Sequence, residues 1–194
     1  FLNAGLKISL TDKRDEDNIV EDIFCYEGGI GSFVEHINES RGLTAIHEKP
    51  VHFSTVVGDR SAEVALMYND GYKERIFSYA NNVNTVDGGT HETGFKTALT
   101  KVFNEYGKKF GLLKDGEKLL GDDVREGLSA VISVKLEDAQ FESQTKAKLG
   151  NSEISGAVNQ AVGEALANFL EEHPKEAKQI VDKVILAATA RIAA

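Results

Sequence analysis

The sequence has 194 residues, 41% hydrophobic and 27% charged, with two prolines and a net charge of −9 from 22 basic and 31 acidic side chains. That length suits one autonomous domain, able to bury about 70% of its unfolded surface, and the acidic balance excludes a chain that coats nucleic acid over its whole surface while allowing a local basic patch. A single cysteine excludes an internal disulfide, and no run approaches the ~18 apolar residues of a membrane span, so no membrane partner is expected.

The chain opens FLNAGLKISL, without a Met or a signal peptide, and reads as a piece of a longer protein. Leu6, Ile8 and Leu10 alternate with Lys7, Ser9 and Thr11, the period-two pattern of a strand. The charged DKRDED at 12–17 is a turn, and a second strand over 19–26 completes an antiparallel hairpin. Cys25 lies inside that second strand and is expected as a buried free thiol. GGIGSFVEHINES is a short helix with Ile30, Phe33, Val34 and Ile37 on one face. VHFSTVV, AEVALMYN and YKERIFSYAN are three more strands, separated by GDRS and by NDG at 69–71, a tight-turn signal.

VDGGTHETGFKTALTKVFNEYGKKFG is a glycine turn feeding a helix over 92–110, with Phe95, Leu99, Val102, Phe103 and Tyr106 as its apolar stripe and Thr90 as its N-cap. A lysine-bearing loop leads to GDDVREG, a helical turn. LSAVISVKL is the most strand-like run of the chain, and its near-continuous apolar character predicts a central, two-sided strand closing a βαβ crossover. After FESQTKAKLGN comes a helix over 152–170, with Ile154, Val158, Ala161, Val162, Ala165, Leu166 and Phe169 at helical spacing. Pro174 suits the first position of a last helix whose stripe is Ala177, Ile180, Val181, Val184, Ile185 and Ala188. Strands on one layer and helices on the other predict a two-layer α/β sandwich.

The five histidines, His36, His47, His52, His91 and His173, show no HExxH spacing and no Cys partner, so no metal site is expected. No GxSxG elbow and no GxxxxGK[ST] occur, so DGGTH at 87–91 is not a P-loop. On its own residues DGGTH is either a tight turn entering a helix or a backbone that must approach something closely. QTK at 144–146 is either a solvated loop or a mobile point charge for a phosphate. Lys96, Lys101, Lys108, Lys109, Lys114 and Lys118 gather on the 92–110 helix and the loop after it, interleaved with Glu92, Glu105, Asp115 and Glu117 in the manner of a solvated face.

Together, FLNAGLKI, YEGGI, DGGTHETGF, GDDVREGLSAVISVKL, FESQTKAKLGN and the two closing helices stand in an order that resembles the B subunit of bacterial type II DNA topoisomerases over essentially the whole chain, the gyrase branch most closely. The resemblance implies the transducer domain, which follows the ATP-binding domain and precedes the cleavage domain. It implies a ribosomal-protein-like α/β fold shared with MutL and related ATPases, with a mixed sheet and a left-handed βαβ crossover against the usual hand. The transducer domain would span 1–172, and the C-terminal helix over 173–194 would lead toward the cleavage domain. Lys146, with Gln144 beside it, would contact the γ-phosphate of ATP held by the neighbouring domain, which makes these two the catalytic and cofactor-binding candidates. Lys96 and Lys101 would line a cavity for transported duplex DNA; an arginine is common at the first position, so lysine keeps the charge without the bidentate fork. ATP and Mg²⁺ would belong to the full-length protein, with neither bound by this chain. The implied partners are the gyrase A subunit, a second copy of the B subunit, and double-stranded DNA, in the cytoplasm. The B subunit of topoisomerase IV and a non-catalytic module of a MutL-like ATPase are the alternatives, and the pairing of DGGTH with QTK argues against the second.

Overall fold

The computed structural model describes residues 1–114 and 116–193, so Asp115 of the lysine-bearing loop lies outside the described residues. Two strands open the chain, β1 (Lys7–Asp12) and β2 (Val20–Cys25), paired antiparallel as their short connection requires. They form a sheet of their own, and Ile8, Leu10, Val20, Ile23 and Phe24 stay exposed. Cys25 is exposed too, its Sγ 3.8 Å from the Gly5 carbonyl oxygen, which corrects the expectation of a buried thiol. The strand pattern is right, but among the described residues nothing covers this hairpin.

There follow α1 (Gly29–Glu39), β3 (Val51–Val57), β4 (Arg60–Tyr68), β5 (Arg75–Ala80), β6 (Val83–Asn84), α2 (Thr90–Lys109), α3 (Gly121–Arg125), β7 (Leu128–Lys135), α4 (Ser152–Glu172) and α5 (Pro174–Ala193). The second sheet has the order β3-β4-β7-β5-β6. β7 pairs antiparallel with β4 and parallel with β5, so the sheet is mixed and β5, α2 and β7 form a βαβ unit. β6 is too short to show as alternation. It returns from β5 through Asn81 and Asn82, both left-handed with φ of 49° and 64°, the conformation that two-residue hairpins demand and Asn tolerates.

β7 is the central strand that its apolar run predicts. Leu128, Ala130, Ile132 and Val134 face Phe95, Leu99 and Phe103 of α2 and Ile154, Val158, Val162 and Leu166 of α4. Val131, with Ala65 and Met67 of β4, faces the other way and meets Ile30, Val34 and Ile37 of α1. The two-layer expectation is thus corrected to helices on both faces. The stripe of α1 needs cover as much as those of α2 and α4, and the period of two makes the alternate residues of β4 and β7 available for it. A buried polar trio fixes α1 on the sheet: the Ser129 hydroxyl donates to Asn38 Oδ1 (2.7 Å), and Asn69 Nδ2 donates to Asn38 Oδ1 and Ser129 Oγ (3.1 Å each). α5 packs on α3 and α4, contributes Ala177, Ile180, Val181 and Val184 to the larger core, and is pinned near its end by Arg191, which donates to both oxygens of Asp123 (2.7 and 2.8 Å).

α2 starts two residues before the expected position. Its cap is Gly89, with φ 143° and ψ −166° and no side-chain cap bond. Thr90 is therefore the first helical residue and not the N-cap, and its Oγ1 is buried without a partner.

Candidate functional site

After β7 the chain runs out over 136–151 and returns into α4. Asn151 closes the base of this loop: its Oδ1 accepts the Gln140 N–H (2.7 Å) and its Nδ2 donates to the Asp138 carbonyl (3.0 Å). Above it, the Gly150 N–H donates to the Gln140 carbonyl (2.7 Å) and the Glu142 N–H to the Lys148 carbonyl (3.0 Å). At the tip the Lys146 N–H donates to the Ser143 carbonyl (3.0 Å), and the Ser143 and Thr145 hydroxyls are 2.6 Å apart, so 143–146 is a tight turn. Lys146 is left-handed there, with φ 55°, an uncommon conformation for a residue with a Cβ. Gln144 and Lys146 are both exposed, and the Lys146 ammonium stands 5.8 Å from the centre of the Phe141 ring.

The inner side of the loop is joined to the DGGTH turn. The Ala147 carbonyl accepts the Asp87 N–H (2.9 Å), the Leu149 carbonyl accepts the Thr90 N–H (3.1 Å), and the Leu149 N–H donates to the Gly88 carbonyl (3.1 Å). The Leu149 carbonyl thus satisfies the N–H of the first helical residue, one of the donors that the start of α2 leaves open. A Cβ on Gly89 would lie 2.5 Å from the Leu149 carbonyl oxygen, so the close backbone approach that the glycines allow is to the loop carrying QTK. Two motifs that look independent in the sequence form one joint.

Beneath the joint lies a buried polar network. The Thr85 hydroxyl donates to the Ser78 carbonyl (2.8 Å), and His91 Nε2 lies 3.1 Å from Thr85 Oγ1. With the hydroxyl proton so committed, Nε2 is assigned as the donor, which leaves Nδ1 unprotonated, buried and unpartnered. Burial pushes the His91 pKa down from 6.5 to about 4, with Glu92 opposing. Its neutral form is the one the fold accommodates, so the associated stability is full above pH 6.5 and is lost as the pH falls toward about 4. Melting temperatures measured at pH 7 and pH 5 should differ by the equivalent of about 2 kcal/mol, and His91→Gln should shrink that difference. An unchanged pH profile in the variant assigns the acid sensitivity to other groups.

From the joint, α2 runs along a groove of about 650 Å³ lined by Lys96, Lys101, Lys108, Lys118 and Arg125 together with Thr97, Asn104 and Glu105. The structure thus brings the DNA candidates Lys96 and Lys101 into one groove, while Gln144 and Lys146 share the tip of the 136–151 loop. Lys96 is only 30% exposed and is held by Glu92 (2.8 Å) and Glu74 (3.2 Å). Lys101 is 66% exposed, with Glu105 at 4.0 Å. Lys109 pairs instead with Glu171 of α4. Arg125 also lines the groove, bonded to Glu74 and to Asp122 (2.7 Å). Sequence reasoning missed Arg125 and Glu74, because a one-turn helix and a tight connection carry no periodic signal. Among the described residues no group of three or more His, Cys, Asp or Glu is arranged to hold a metal ion, and no helix is long and apolar enough to cross a membrane.

A family model described as DNA gyrase B matches residues 29–194. The DNA gyrase B subunit of Clostridium acetobutylicum is 50% identical over 196 residues, covering 100% of this chain and 30% of that protein. Among solved structures, the 43K ATPase domain of Thermus thermophilus gyrase B in complex with an aminocoumarin is 42% identical with a TM-score of 0.86, over 99% of this chain and 50% of that one. A topoisomerase IV ATP-binding domain of Francisella tularensis, in complex with a small-molecule inhibitor, is 28% identical with a TM-score of 0.79, over 96% of this chain and 49% of that one. The chain therefore spans about 30% of the length of the Clostridium relative and about half of each of these two structures. On the family match and the identity across its full length, the chain belongs to the DNA gyrase B family.

Proposed function

We propose that the chain is the transducer segment of a DNA gyrase B subunit, coupling ATP binding and hydrolysis in a neighbouring domain to DNA gate opening and strand passage, with negative supercoiling as the outcome. One observation carries this reading: Lys146 is displayed on an exposed turn whose inner side is joined by three backbone hydrogen bonds to the start of a long helix. A compact cation on a flexible stem is suited to a phosphate outside its own fold, and a displacement of the turn is felt at once by α2. Lys146 contacts the γ-phosphate of ATP bound with Mg²⁺ by the neighbouring domain, Gln144 assists it, and the chain itself holds neither ligand. The groove of α2 faces the transported duplex, with Lys96 and Lys101 toward its phosphates. The unit β5–α2–β7 is left-handed, residues 1–172 act as the transducer domain, and α5 leads toward the cleavage domain. The partners are the gyrase A subunit, a second copy of the B subunit in an ATP-dependent dimer, and double-stranded DNA, in the cytoplasm.

The 28% identity to a topoisomerase IV structure supports the same mechanics with decatenation as the outcome, and the 42% and 50% identities to gyrase B favour supercoiling. Calorimetric titration of the chain with a non-hydrolysable ATP analogue and Mg²⁺ should give no saturable heat. Micromolar affinity at one-to-one stoichiometry would place a nucleotide pocket in this chain and overturn the assignment.

A further inference from the structure

At one end of the α2 groove, three carboxylates meet two cations. Glu74 sits in the connection between β4 and β5, Lys96 on α2 and Arg125 on α3. One oxygen of the Glu74 carboxylate takes Lys96 (3.2 Å) and the other takes the Arg125 guanidinium, so a single carboxylate bridges two cations from two helices. Glu92 holds Lys96 from the other side at 2.8 Å, and Asp122 holds Arg125 at 2.7 Å. Arg125 is only 15% exposed, so it is aimed by its surroundings and is not a free surface arm. Burial pushes the Glu74 carboxyl up, but the hydrogen bond from Arg125 and the charge of Lys96 hold it below the usual range, and it is ionised at neutral pH.

A phosphodiester presents the same pattern as that carboxylate: two equivalent oxygens sharing one negative charge, with lysine and arginine as its usual partners. We propose that Glu74 is a built-in competitor for a DNA phosphate: it fills the anion subsite between Lys96 and Arg125, and duplex DNA entering the groove must displace it. The inference rests on the groove being the DNA-facing surface. It adds Arg125 as a phosphate contact and explains why both cations are already aligned without DNA. Exchange of one anion for another also keeps the net gain small, which suits a segment that is transported and must leave.

The test is fluorescence anisotropy of a short labelled duplex titrated with the chain at several salt concentrations. Glu74→Gln keeps the shape and removes the competing charge. It should bind about tenfold tighter at low salt, and the slope of log K against log salt should steepen by about one to two, the number of phosphate contacts released. Adding Lys96→Met and Arg125→Met to that variant should abolish the gain. Unchanged affinity and slope in a folded Glu74→Gln chain overturn the proposal. If Glu74→Gln fails to fold, Glu74→Asp, which withdraws the charge from one cation, should still tighten binding about threefold, and no change there overturns the proposal equally. Lys96→Glu with Lys101→Glu tests the groove itself. Weakened binding there beside an inert Glu74→Gln leaves the DNA face standing and removes the competitor; no effect in either removes both.

Discussion

Lys146→Ala in the full-length protein should lower kcat for ATP hydrolysis by about 10²–10³-fold, equivalent to roughly 2.7–4 kcal/mol of transition-state stabilisation. The base of the 136–151 loop is tied by Asn151 and its inner side by the joint to α2, so the tip is held at a defined place while the lysine side chain stays free. A charge delivered from a preorganised backbone to a phosphate that gains negative charge acts on the transition state more than on the ground state. On the proposed role nucleotide affinity should fall less, since the other contacts to the nucleotide would be made by the neighbouring domain. Gln144→Ala should shift kcat in the same direction by a smaller factor. In the chain by itself Lys146→Ala should leave the melting temperature nearly unmoved, because the side chain is exposed and the left-handed backbone at φ 55° is equally uncommon for alanine. Turnover at the wild-type rate would show that Lys146 is an ordinary solvated lysine.

Gly89→Ala should destabilise the chain severely. The backbone at φ 143° and ψ −166° is a region that only glycine occupies readily, at a cost of about 1–3 kcal/mol for other residues. The new Cβ would also meet three backbone atoms of Leu149 between 2.5 and 2.9 Å, and backbone cannot swing aside as a side-chain tip can. Strain and overpacking together should remove roughly 3–5 kcal/mol. The melting temperature of a chain this size should then drop by on the order of 10 °C. Relief comes most easily by parting the loop from α2, which breaks the bonds of Asp87, Gly88 and Thr90 to Ala147 and Leu149. In the full-length protein the same change should therefore lower kcat and be non-additive with Lys146→Ala, because both act through one loop. Additive effects would mean that the joint does not position the lysine.

Much of this architecture is legible in the residues. Strong periodicity gave the positions of α4 and α5, the apolar run of β7 marked it as central, and NDG at 69–71 marked the turn after β4. What was hidden falls into two kinds. Long-range cover is one: Cys25 sits in a true strand, but period two does not say whether a face meets another layer, and the stripe of α1 does not say which side of the sheet it takes. Backbone-to-backbone contact is the other. The joint between 87–90 and 147–149 uses main-chain N–H and carbonyl groups, which leave no mark on side-chain pattern beyond a glycine where space is short. For that reason Thr90 reads as a cap, although it is the first helical residue and its own N–H is taken by the distant Leu149 carbonyl. The basic groove was half visible: Lys96 and Lys101 stand out on a helix, while Glu74 and Arg125 reach it from a turn and a single helical turn.

The position of β7 has a consequence in time. β4 and β5 are neighbours in the chain but not in the sheet, since residues 128–135 lie between them. During synthesis the β3–β4 and β5–β6 hairpins emerge first, each with an unfilled edge, and neither can dock until β7 leaves the ribosome. The loop that bears Lys146 follows directly, so its joint to the start of α2 forms only after β7 is available to close the two edges. The joint between 87–90 and 147–149 is thus never assembled ahead of the core on which it rests.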